Sequence, residues 1–407
     1  MIQHVVIVGA GQAATQAIHT LRQKGYRGGI ALIGDEPYLP YQRPPLSKKY
    51  LASQLERDRL LIRPAQFYAD HGVDARMGRR ATRIDRPARK VILDDGAILP
   101  YDALLLATGS TPRKLTAPGA NLEGVHVLRT IADVDGIRAQ ASAGKRLVIV
   151  GGGYIGLEVA AIGREMGLDV TVLEMADRVM NRVVCSPISA FYQAEHEKHG
   201  VKIVCHARVK AIAADESGRK ARAVGCDDGS EYPADVVLVG VGVVPLDSVA
   251  QEAGLECANG IVVDEYCRTS DPAIYAAGDC TNHPSLRYGK RLRLESVDNA
   301  FEQGASAALN MLGIPTVHDK VPWFWSDQYD IKLIIIGLCA EHDSVVTRGD
   351  PASRSFSACY LRNGELIAVD TINHPKDQMA ARKLVAMRVK PDLNKLGNPD
   401  IPLKDCI

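Results

Sequence analysis

Residues 4–36 read HVVIVGAGQAATQAIHTLRQKGYRGGIALIGDE, and this stretch decides the fold. An apolar run of β character ends in a glycine turn, a segment with helical periodicity follows, and a second apolar run ends in an acidic pair. In such a strand–helix–strand unit, Gly9 permits the tight turn, Gly11 lets a pyrophosphate approach the backbone, and small Ala14 allows close packing. The pattern therefore predicts a dinucleotide site at the start of the chain.

The acidic pair at the end of the second run supports the same interpretation. A carboxylate at this point of the unit accepts hydrogen bonds from a ribose hydroxyl of the dinucleotide. Asp35 and Glu36 both stand there, and the pattern alone leaves either as the acceptor.

A second complete unit follows at residues 145–175, KRLVIVGGGYIGLEVAAIGREMGLDVTVLEM. Gly151, Gly153 and Gly156 come directly after its first strand, and the helix is expected to run to about residue 166. One such motif could arise from packing alone, whereas two complete units in one chain indicate two bound dinucleotides.

Glu174 ends the second unit and bears on the choice of cofactor. Its carboxylate can accept from both ribose hydroxyls of NAD but would repel the 2′-phosphate of NADP. Arg178, four residues on, has the opposite charge and favours NADP if it is free to bind. We expect NAD(H) at this site.

The remaining segments predict the domain order. Apolar runs at residues 101–113 and 232–246 each close one nucleotide module, and β-meanders at 80–100 and 207–233 are inserted in the modules. From residue 316 the chain becomes rich in strands, with a hairpin turn at Asn363-Gly364 and then a helical segment.

A third apolar run places an acidic residue at a sheet edge. Residues 268–282 end a strand near Asp279, at the carboxyl edge of a parallel sheet where ligands of open α/β sheets bind. A helix follows at about residues 295–313, with N-terminal amides that could face an electron-rich ligand. We assign this edge to the first dinucleotide.

Composition excludes several classes of function. Lys and Arg total 49 and Asp and Glu total 48, so a net charge of +1 favours neither nucleic acid nor an acidic membrane surface. The nine cysteines show no CxxC and no zinc spacing, which predicts reduced thiols and no metal site. Without a basic leader or an apolar run of about 20 residues, the sequence predicts a soluble, cytoplasmic protein.

The motifs GAGQAA, PPLSK, LLLATGS, GGGYIGLEVA, VGVGVVP, IYAAGDC, ESVDNA and WFWSDQ follow one another in this order. In that order the chain resembles the FAD-dependent NADH–ferredoxin reductases, of the putidaredoxin reductase and biphenyl dioxygenase ferredoxin reductase type. PPLSK and WFWSDQ are the specific parts of the resemblance. Pro245-Leu246 departs from the Pro-Asn that is frequent in that family.

The resemblance implies an α/β fold like that of glutathione reductase, with two Rossmann-like dinucleotide-binding domains and a small α+β C-terminal domain. The implied boundaries are 1–110 and 242–318 for the FAD domain, 111–241 for the NAD domain, and 319–407 for the C-terminal domain covering the flavin. It also implies a monomer or weak dimer.

Site residues carry over from the resemblance by position. Lys48, near the flavin N5, and Glu158, near the nicotinamide, are the implied catalytic pair. The other implied flavin residues are Gly9, Gly11, Ala14, Asp35, Arg43, Ala81, Arg129, Asp279, Val297 and Trp325. The implied NADH residues are Gly151, Gly153, Tyr154, Ile155, Gly156 and Glu174.

The segment at residues 41–51, YQRPPLSKKYL, indicates how electrons leave. Disulfide reductases carry a redox cysteine pair at about this point, and this chain has none. Electrons must then leave from the flavin itself, which can take a hydride and release single electrons. Lys48 is expected to stabilise negative charge on the reduced ring, alone or paired with Glu158.

The implied partner is an acidic [2Fe–2S] ferredoxin that docks on a local basic patch. One candidate patch contains Arg287, Lys290, Arg291 and Arg293, and another contains Arg382, Lys383 and Arg388. In a strand, Trp323 and Trp325 point to one face and Phe324 to the other. The tryptophans could be core, or line the electron exit.

Two alternatives remain open on the sequence. A rubredoxin reductase, NADH oxidase or peroxidase could use the same scaffold, although oxidases and peroxidases of this kind carry a redox cysteine near residues 41–43. A non-catalytic NADH-sensing flavoprotein resembling apoptosis-inducing factor would be expected to show an import signal or an insertion in the last domain.

Overall fold

Alternating apolar residues form a parallel sheet with two buried faces in the first part of the chain. Val5 and Ile7 pack into one core and Val6 and Val8 into another, as expected for a central strand with cover on both sides. The computed structural model describes residues 2–407. It divides the chain into two compact units. Of the described residues, the first unit contains 2–42, 57–111 and 243–320, and the second contains 43–56, 112–242 and 321–407.

The first unit is built on a five-stranded parallel sheet. Its strands in spatial order are Ile274–Ala276, Ala103–Leu106, His4–Val8, Gly29–Gly34 and Val73–Met77. Its helices are Gln12–Gln23, Ala65–Asp70, Ser248–Glu252 and Val297–Met311, with a 3₁₀ turn at Arg57–Leu60. The predicted meander is present as Ala81–Asp85, Lys90–Leu93 and Ile98–Pro100, all antiparallel.

Further short strands complete this unit. Ile261–Val262, Thr281–Ser285 and Lys290–Leu292 form a three-stranded sheet. Ser110–Pro112 and Val243–Pro245 are the strands nearest the two points where the chain leaves and re-enters the first unit.

The second unit repeats the plan. Its parallel sheet has the order Lys202–Val204, Asp169–Leu173, Arg146–Val150, Val236–Val239 and Val125–His126. The helices of this part are Ile131–Gln140, Tyr154–Glu165 and Ser186–Lys198, and Pro44–Ser47 forms a 3₁₀ turn. The second predicted meander is present as Val209–Ala214, Ala221–Cys226 and Glu231–Pro233.

The C-terminal part of the second unit is an antiparallel sheet with helices. Its strand order is Trp323–Gln328, Ile331–Gly337, Glu365–Ile372, Phe356–Arg362 and Ser344–Arg348. Helices Pro375–Met387 and Leu393–Leu396 and 3₁₀ turns Pro351–Ser353 and Leu403–Asp405 accompany it. The predicted Asn363-Gly364 turn is confirmed, with φ of +52° and +77° at its two residues.

Two global features accompany this fold. All nine cysteines are unpaired, six of them buried and three partly buried. In residues 2–407 no helix combines the length and the apolar character that a membrane span requires. The parallel-sheet α/β architecture predicted from the sequence is confirmed.

Candidate functional site

The first glycine turn has the geometry of a pyrophosphate cradle. Gly9 has φ of +108°, and a Cβ there would lie 2.1 Å from the carbonyl oxygen of Ala107, so only glycine fits. At Gly11 the space is open, since a Cβ would meet no heavy atom within 4 Å. Helix Gln12–Gln23 begins at this point and directs its first-turn N–H groups toward that space. Ala14 is fully buried. These residues fit a bound pyrophosphate.

The structure separates the two acidic candidates that follow the second strand. Glu36 Oε2 accepts a hydrogen bond of 2.6 Å from the hydroxyl of Tyr41. Asp35 is exposed, and within residues 2–407 its carboxylate makes one loose ionic contact, 3.6 Å from Arg80. The carboxylate at the sheet edge that is available to a ribose is therefore that of Asp35.

Asp279 lies at the carboxyl edge of the first sheet, just beyond strand Ile274–Ala276. Its Oδ2 accepts from the hydroxyl of Ser110 at 2.8 Å. Nearby, Gln303 Oε1 accepts from the backbone N–H of Gly278 at 2.8 Å and from the Thr281 hydroxyl at 2.9 Å. No sequence pattern singled out Gln303, which lies in the second turn of helix Val297–Met311.

Helix Val297–Met311 starts at the predicted place, with one difference. Ser296 caps it and accepts from the N–H of Asn299 at 3.0 Å, so that amide is not free for a ligand. Gly304 allows close helix packing, since a Cβ would lie 2.4 Å from the oxygen of Ala13. Ala81 is a buried residue of a core cluster, at the start of its meander strand.

The second glycine turn, in the second unit, has the same design. Gly151 has φ of +110°, Gly153 has open space around its Cα, and a Cβ at Gly156 would lie 2.1 Å from the Gly151 oxygen. Glu174 Oε2 accepts from the N–H of Gly152 at 2.7 Å, and its Oε1 accepts from the N–H of Ala176 at 2.8 Å. The turn and the acidic residue are thus joined directly.

The guanidinium of Arg178 is held by hydrogen bonds to the backbone. Its two terminal nitrogens donate to the carbonyl oxygens of Val184 at 2.9 Å and Asn181 at 3.0 Å. A 2′-phosphate would have to break these bonds and approach Glu174. At the head of the helix, Ile155 is 41% exposed, whereas Tyr154 is partly exposed and its hydroxyl oxygen is buried.

A buried ion pair is the most distinctive feature of the second unit. Lys48 Nζ lies 2.6 Å from Glu158 Oε2, with side-chain exposures of 17% and 5%. The 3₁₀ turn Pro44–Ser47 carries Lys48 at its end, and the Ser47 hydroxyl donates to the same carboxylate oxygen at 2.5 Å. Ser326 Oγ donates to the other oxygen, Oε1, at 2.7 Å. The two serines lie within the PPLSK and WFWSDQ motifs, yet no residue pattern singled them out.

Arg43 and Arg129 are also brought together in this unit. Arg43 Nη1 donates to the backbone oxygen of Arg129 at 2.6 Å. The N–H of Arg129 donates to Asp133, whose carboxylate also takes part in a capping box with Thr130. The loop that carries Arg129 is therefore fixed to the start of helix Ile131–Gln140.

The two tryptophans share one face of their strand, as predicted. Their ring centroids are 5.4 Å apart, and both pack against the core of the C-terminal part while remaining partly exposed. The guanidinium of Arg382 lies 4.4 Å from the Trp323 ring centroid. Trp325 is thus anchored on the core.

The predicted residues fall into two sets. The first unit holds Gly9, Gly11, Ala14, Asp35, Ala81, Asp279 and Val297, and the second holds the others. In residues 2–407 no group of three or more His, Cys, Asp or Glu side chains is placed to hold a metal ion.

Two glycine-turn sites on parallel sheets define a class, the oxidoreductases that bind two dinucleotides. The model of the pyridine nucleotide-disulphide oxidoreductases matches residues 3–304, and that of the reductase C-terminal domain matches residues 323–407. The chain belongs to this family and, within it, to the ferredoxin reductases. It is an oxidoreductase that uses FAD and NAD(H).

Named relatives cover nearly the whole chain. The 5,5′-dehydrodivanillate O-demethylase ferredoxin reductase subunit of Sphingobium sp. is 44% identical over 98% of this chain and 97% of that protein. Putidaredoxin reductase of Pseudomonas putida is 41% identical over 99% of this chain and 96% of that protein. The structure of a covalent putidaredoxin reductase–putidaredoxin complex has a TM-score of 0.96 at 40% identity, covering 99% of this chain and 97% of that one.

Proposed function

We propose that this reductase takes a hydride from NADH onto FAD and passes the electrons one at a time to a small [2Fe–2S] ferredoxin. That ferredoxin would supply a haem-thiolate monooxygenase or a ring-hydroxylating dioxygenase. The observation that carries the proposal is the segment at residues 41–51, which presents Lys48 and its partner in place of a redox cysteine pair. The bound flavin supplies the change from two-electron to one-electron chemistry.

The Lys48–Glu158 pair has a defined electrostatic role in this proposal. Lys48 holds a positive charge at the end of a turn stiffened by two prolines. Glu158 keeps that ammonium in one place, because its Oε2 accepts from both Lys48 and Ser47. A fixed charge stabilises developing negative charge without reorganisation, which is how preorganised sites lower a barrier.

The cofactor residues are assigned by the same reasoning. Gly9, Gly11, Ala14 and Asp35 would hold the FAD pyrophosphate and ribose. In the second unit Gly151, Gly153, Gly156 and Glu174 would hold NADH, and the commitment of Arg178 to backbone carbonyls supports NADH over NADPH. The three-domain division and a monomeric or weakly dimeric state remain predictions.

Of the two basic clusters, the one on the C-terminal helix fits a docking role better. Arg382, Lys383 and Arg388 are exposed there, and Arg382 lies over Trp323. In the other cluster, Arg293 is only 13% exposed and pairs with Glu295 at 2.6 Å. An acidic ferredoxin would be steered to the first cluster by charge, with a rate that falls as salt rises.

Rubredoxin is the second candidate acceptor. The rubredoxin-NAD(+) reductase of Pseudomonas putida is 38% identical over 92% of this chain and 97% of that protein. It shares the overall plan, so the choice of acceptor depends on surface side chains.

An anaerobic two-step experiment tests the proposal. NADH is added to the yellow protein and flavin bleaching is followed; the reduced protein is then mixed with oxidised [2Fe–2S] ferredoxins and with rubredoxins. We expect fast bleaching and then fast, salt-sensitive reoxidation by a [2Fe–2S] ferredoxin. Rapid reoxidation by rubredoxin alone would move the assignment to the second candidate, and reoxidation by oxygen or peroxide alone would contradict both.

A further inference from the structure

A continuous chain of hydrogen bonds leads away from Glu158 through the second unit. Ser326 donates to Glu158 Oε1 at 2.7 Å, and Gln328 Nε2 contacts Ser326 Oγ at 3.0 Å. Gln328 Oε1 lies 2.8 Å from His196 Nε2, and His196 Nδ1 lies 3.1 Å from the hydroxyl of Tyr329. Ser326, Gln328 and His196 are each at most 1% exposed.

The charge of Glu158 fixes the direction of every bond in this chain. An ionised carboxylate only accepts, so the single hydroxyl proton of Ser326 must point to Glu158. Ser326 must then accept from the amide nitrogen of Gln328, which turns the amide oxygen toward His196. His196 must therefore carry a proton on Nε2, and as a neutral ring it accepts at Nδ1 from the Tyr329 hydroxyl.

The surroundings of His196 favour the neutral ring that this chain requires. Burial lowers the pKa of His196 to about 4, while the bond to Gln328 opposes the shift. Other titratable groups near it are Glu195 on its own helix, His199 just after that helix ends, and Tyr329 in the turn after strand Trp323–Gln328. Glu195 pairs with Arg354 at 3.1 Å.

We infer that Ser326, Gln328 and His196 are positioning residues that hold the Glu158 carboxylate in the correct orientation for its partner Lys48. The inference rests on the proposed role of that ion pair. Ser326 and Gln328 stand two residues apart on one face of strand Trp323–Gln328, and His196 lies on helix Ser186–Lys198. These hydrogen bonds thus let the C-terminal sheet orient a side chain on helix Tyr154–Glu165.

A matched pair of serines provides the first test. Ser326 and Ser357 are both fully buried in the C-terminal sheet, and each donates to a buried carboxylate, Glu158 or Asp377. S326A and S357A therefore each lose a hydroxyl donor to a buried carboxylate, and S326A also loses the acceptor for Gln328. The measurement is the anaerobic rate of flavin reduction by saturating NADH between pH 5.5 and 8.5, for each variant relative to the unmodified protein.

We expect S326A to reduce its flavin roughly tenfold more slowly than the unmodified protein across this pH range, because the Glu158 carboxylate has lost the donor that orients its Oε1. S357A should stay within about twofold of the unmodified rate. Equal rates for the two variants would overturn the inference.

A second variant keeps the test decisive if S326A folds poorly. Q328M removes both amide bonds and should change the rate ratio in the same direction by a smaller factor. Q193M is its control, since the side-chain amide of Gln193 donates to Glu197 in an exposed hydrogen bond on the same helix as His196.

A readout independent of activity uses protein labelled with ¹⁵N-histidine. The His196 signals, assigned by their loss in H196Q, should report a neutral ring protonated on Nε2 at pH 7, whether or not cofactors are bound. A ring protonated on Nδ1, or a charged ring, would contradict the chain.

The failures of the two proposals can be told apart. If K48A leaves the rate of flavin reduction unchanged, the role of the ion pair fails and the inference fails with it. If K48A slows flavin reduction but S326A behaves like S357A, only the inference fails.

Discussion

Glu158 and Asp370 are two buried carboxylates in the same unit with opposite environments. Glu158 is 5% exposed and receives an ammonium and two hydroxyl donors, from Lys48, Ser47 and Ser326. Asp370 is 0% exposed, and Tyr360 donates to its Oδ2, but its Oδ1 has no hydrogen-bond partner among the described residues. The first site is built to hold a charge, and the second is not.

The consequence for Asp370 is a shifted titration. Burial raises the pKa of Asp370 to about 7, and the bond from Tyr360 only partly offsets this. The same Tyr360 hydroxyl accepts from the N–H of Cys185 at 3.0 Å, which joins the C-terminal sheet to the start of helix Ser186–Lys198. Asp370 therefore serves the packing of this unit and takes up a proton near neutral pH, whereas Glu158 receives the donors that a charged carboxylate requires.

The largest expected effect comes from removing the cation beside Glu158. K48A leaves a buried carboxylate without its counterion and should slow flavin reduction by NADH roughly 100-fold, while FAD remains bound. Stopped-flow bleaching under anaerobic conditions measures the rate. K49A, which removes the exposed neighbouring lysine, is the control and should match the unmodified protein. An unchanged rate in K48A would return Lys48 to a structural role.

A third carboxylate, that of Glu174, extends the comparison to cofactor choice. It accepts from two backbone N–H groups, so its negative charge is fixed beside the glycine turn. Like charges in contact cost several kcal/mol, so kcat/KM with NADH should exceed that with NADPH by roughly 100-fold. E174S should lower the ratio of kcat/KM with NADH to kcat/KM with NADPH. E165S, at the end of the adjacent helix, should leave this ratio unchanged. Equal turnover of the two cofactors by the unmodified protein would contradict the assignment.

The smallest effect concerns stability and tests the neutral state of Asp370. Its folded-state pKa is raised, so the folded form retains a proton that the unfolded form loses, and stability falls as the pH rises from about 4 to about 7. D370N has no carboxyl group at this position, so its stability should not fall in this way as the pH rises. Its Tm relative to the unmodified protein should rise by several degrees between pH 5 and pH 8, at roughly 2–4 °C for each kcal/mol.

Calorimetry or circular dichroism measures those transitions, and flavin reduction by D370N should stay within about twofold of the unmodified rate. A Tm difference that does not change with pH would mean that Asp370 is not held neutral. A large loss of rate would instead bring Asp370 into the chemistry and erase its contrast with Glu158.

Local patterns predicted much of the fold because each depends on neighbours in sequence. The glycine turns at Gly9 and Gly151, the strands that precede them and the Asn363-Gly364 hairpin all follow from backbone geometry that only certain residues permit. The place of Glu174 at the same sheet edge as its glycine turn follows too, because parallel strands end at one edge of a sheet.

By itself the sequence determined two dinucleotide modules, their order, and the absence of a redox cysteine pair at residues 41–51. Only the tertiary structure decided that Glu36 accepts a hydrogen bond from Tyr41 and that Arg178 donates to backbone carbonyl groups. It also decided that Ser47 and Ser326 both donate to Glu158. Ser326 stands 168 residues from Glu158, and no local periodicity encodes such a contact. Long-range contacts of this kind form only when separate elements pack, and packing also decides which buried carboxylate holds its charge.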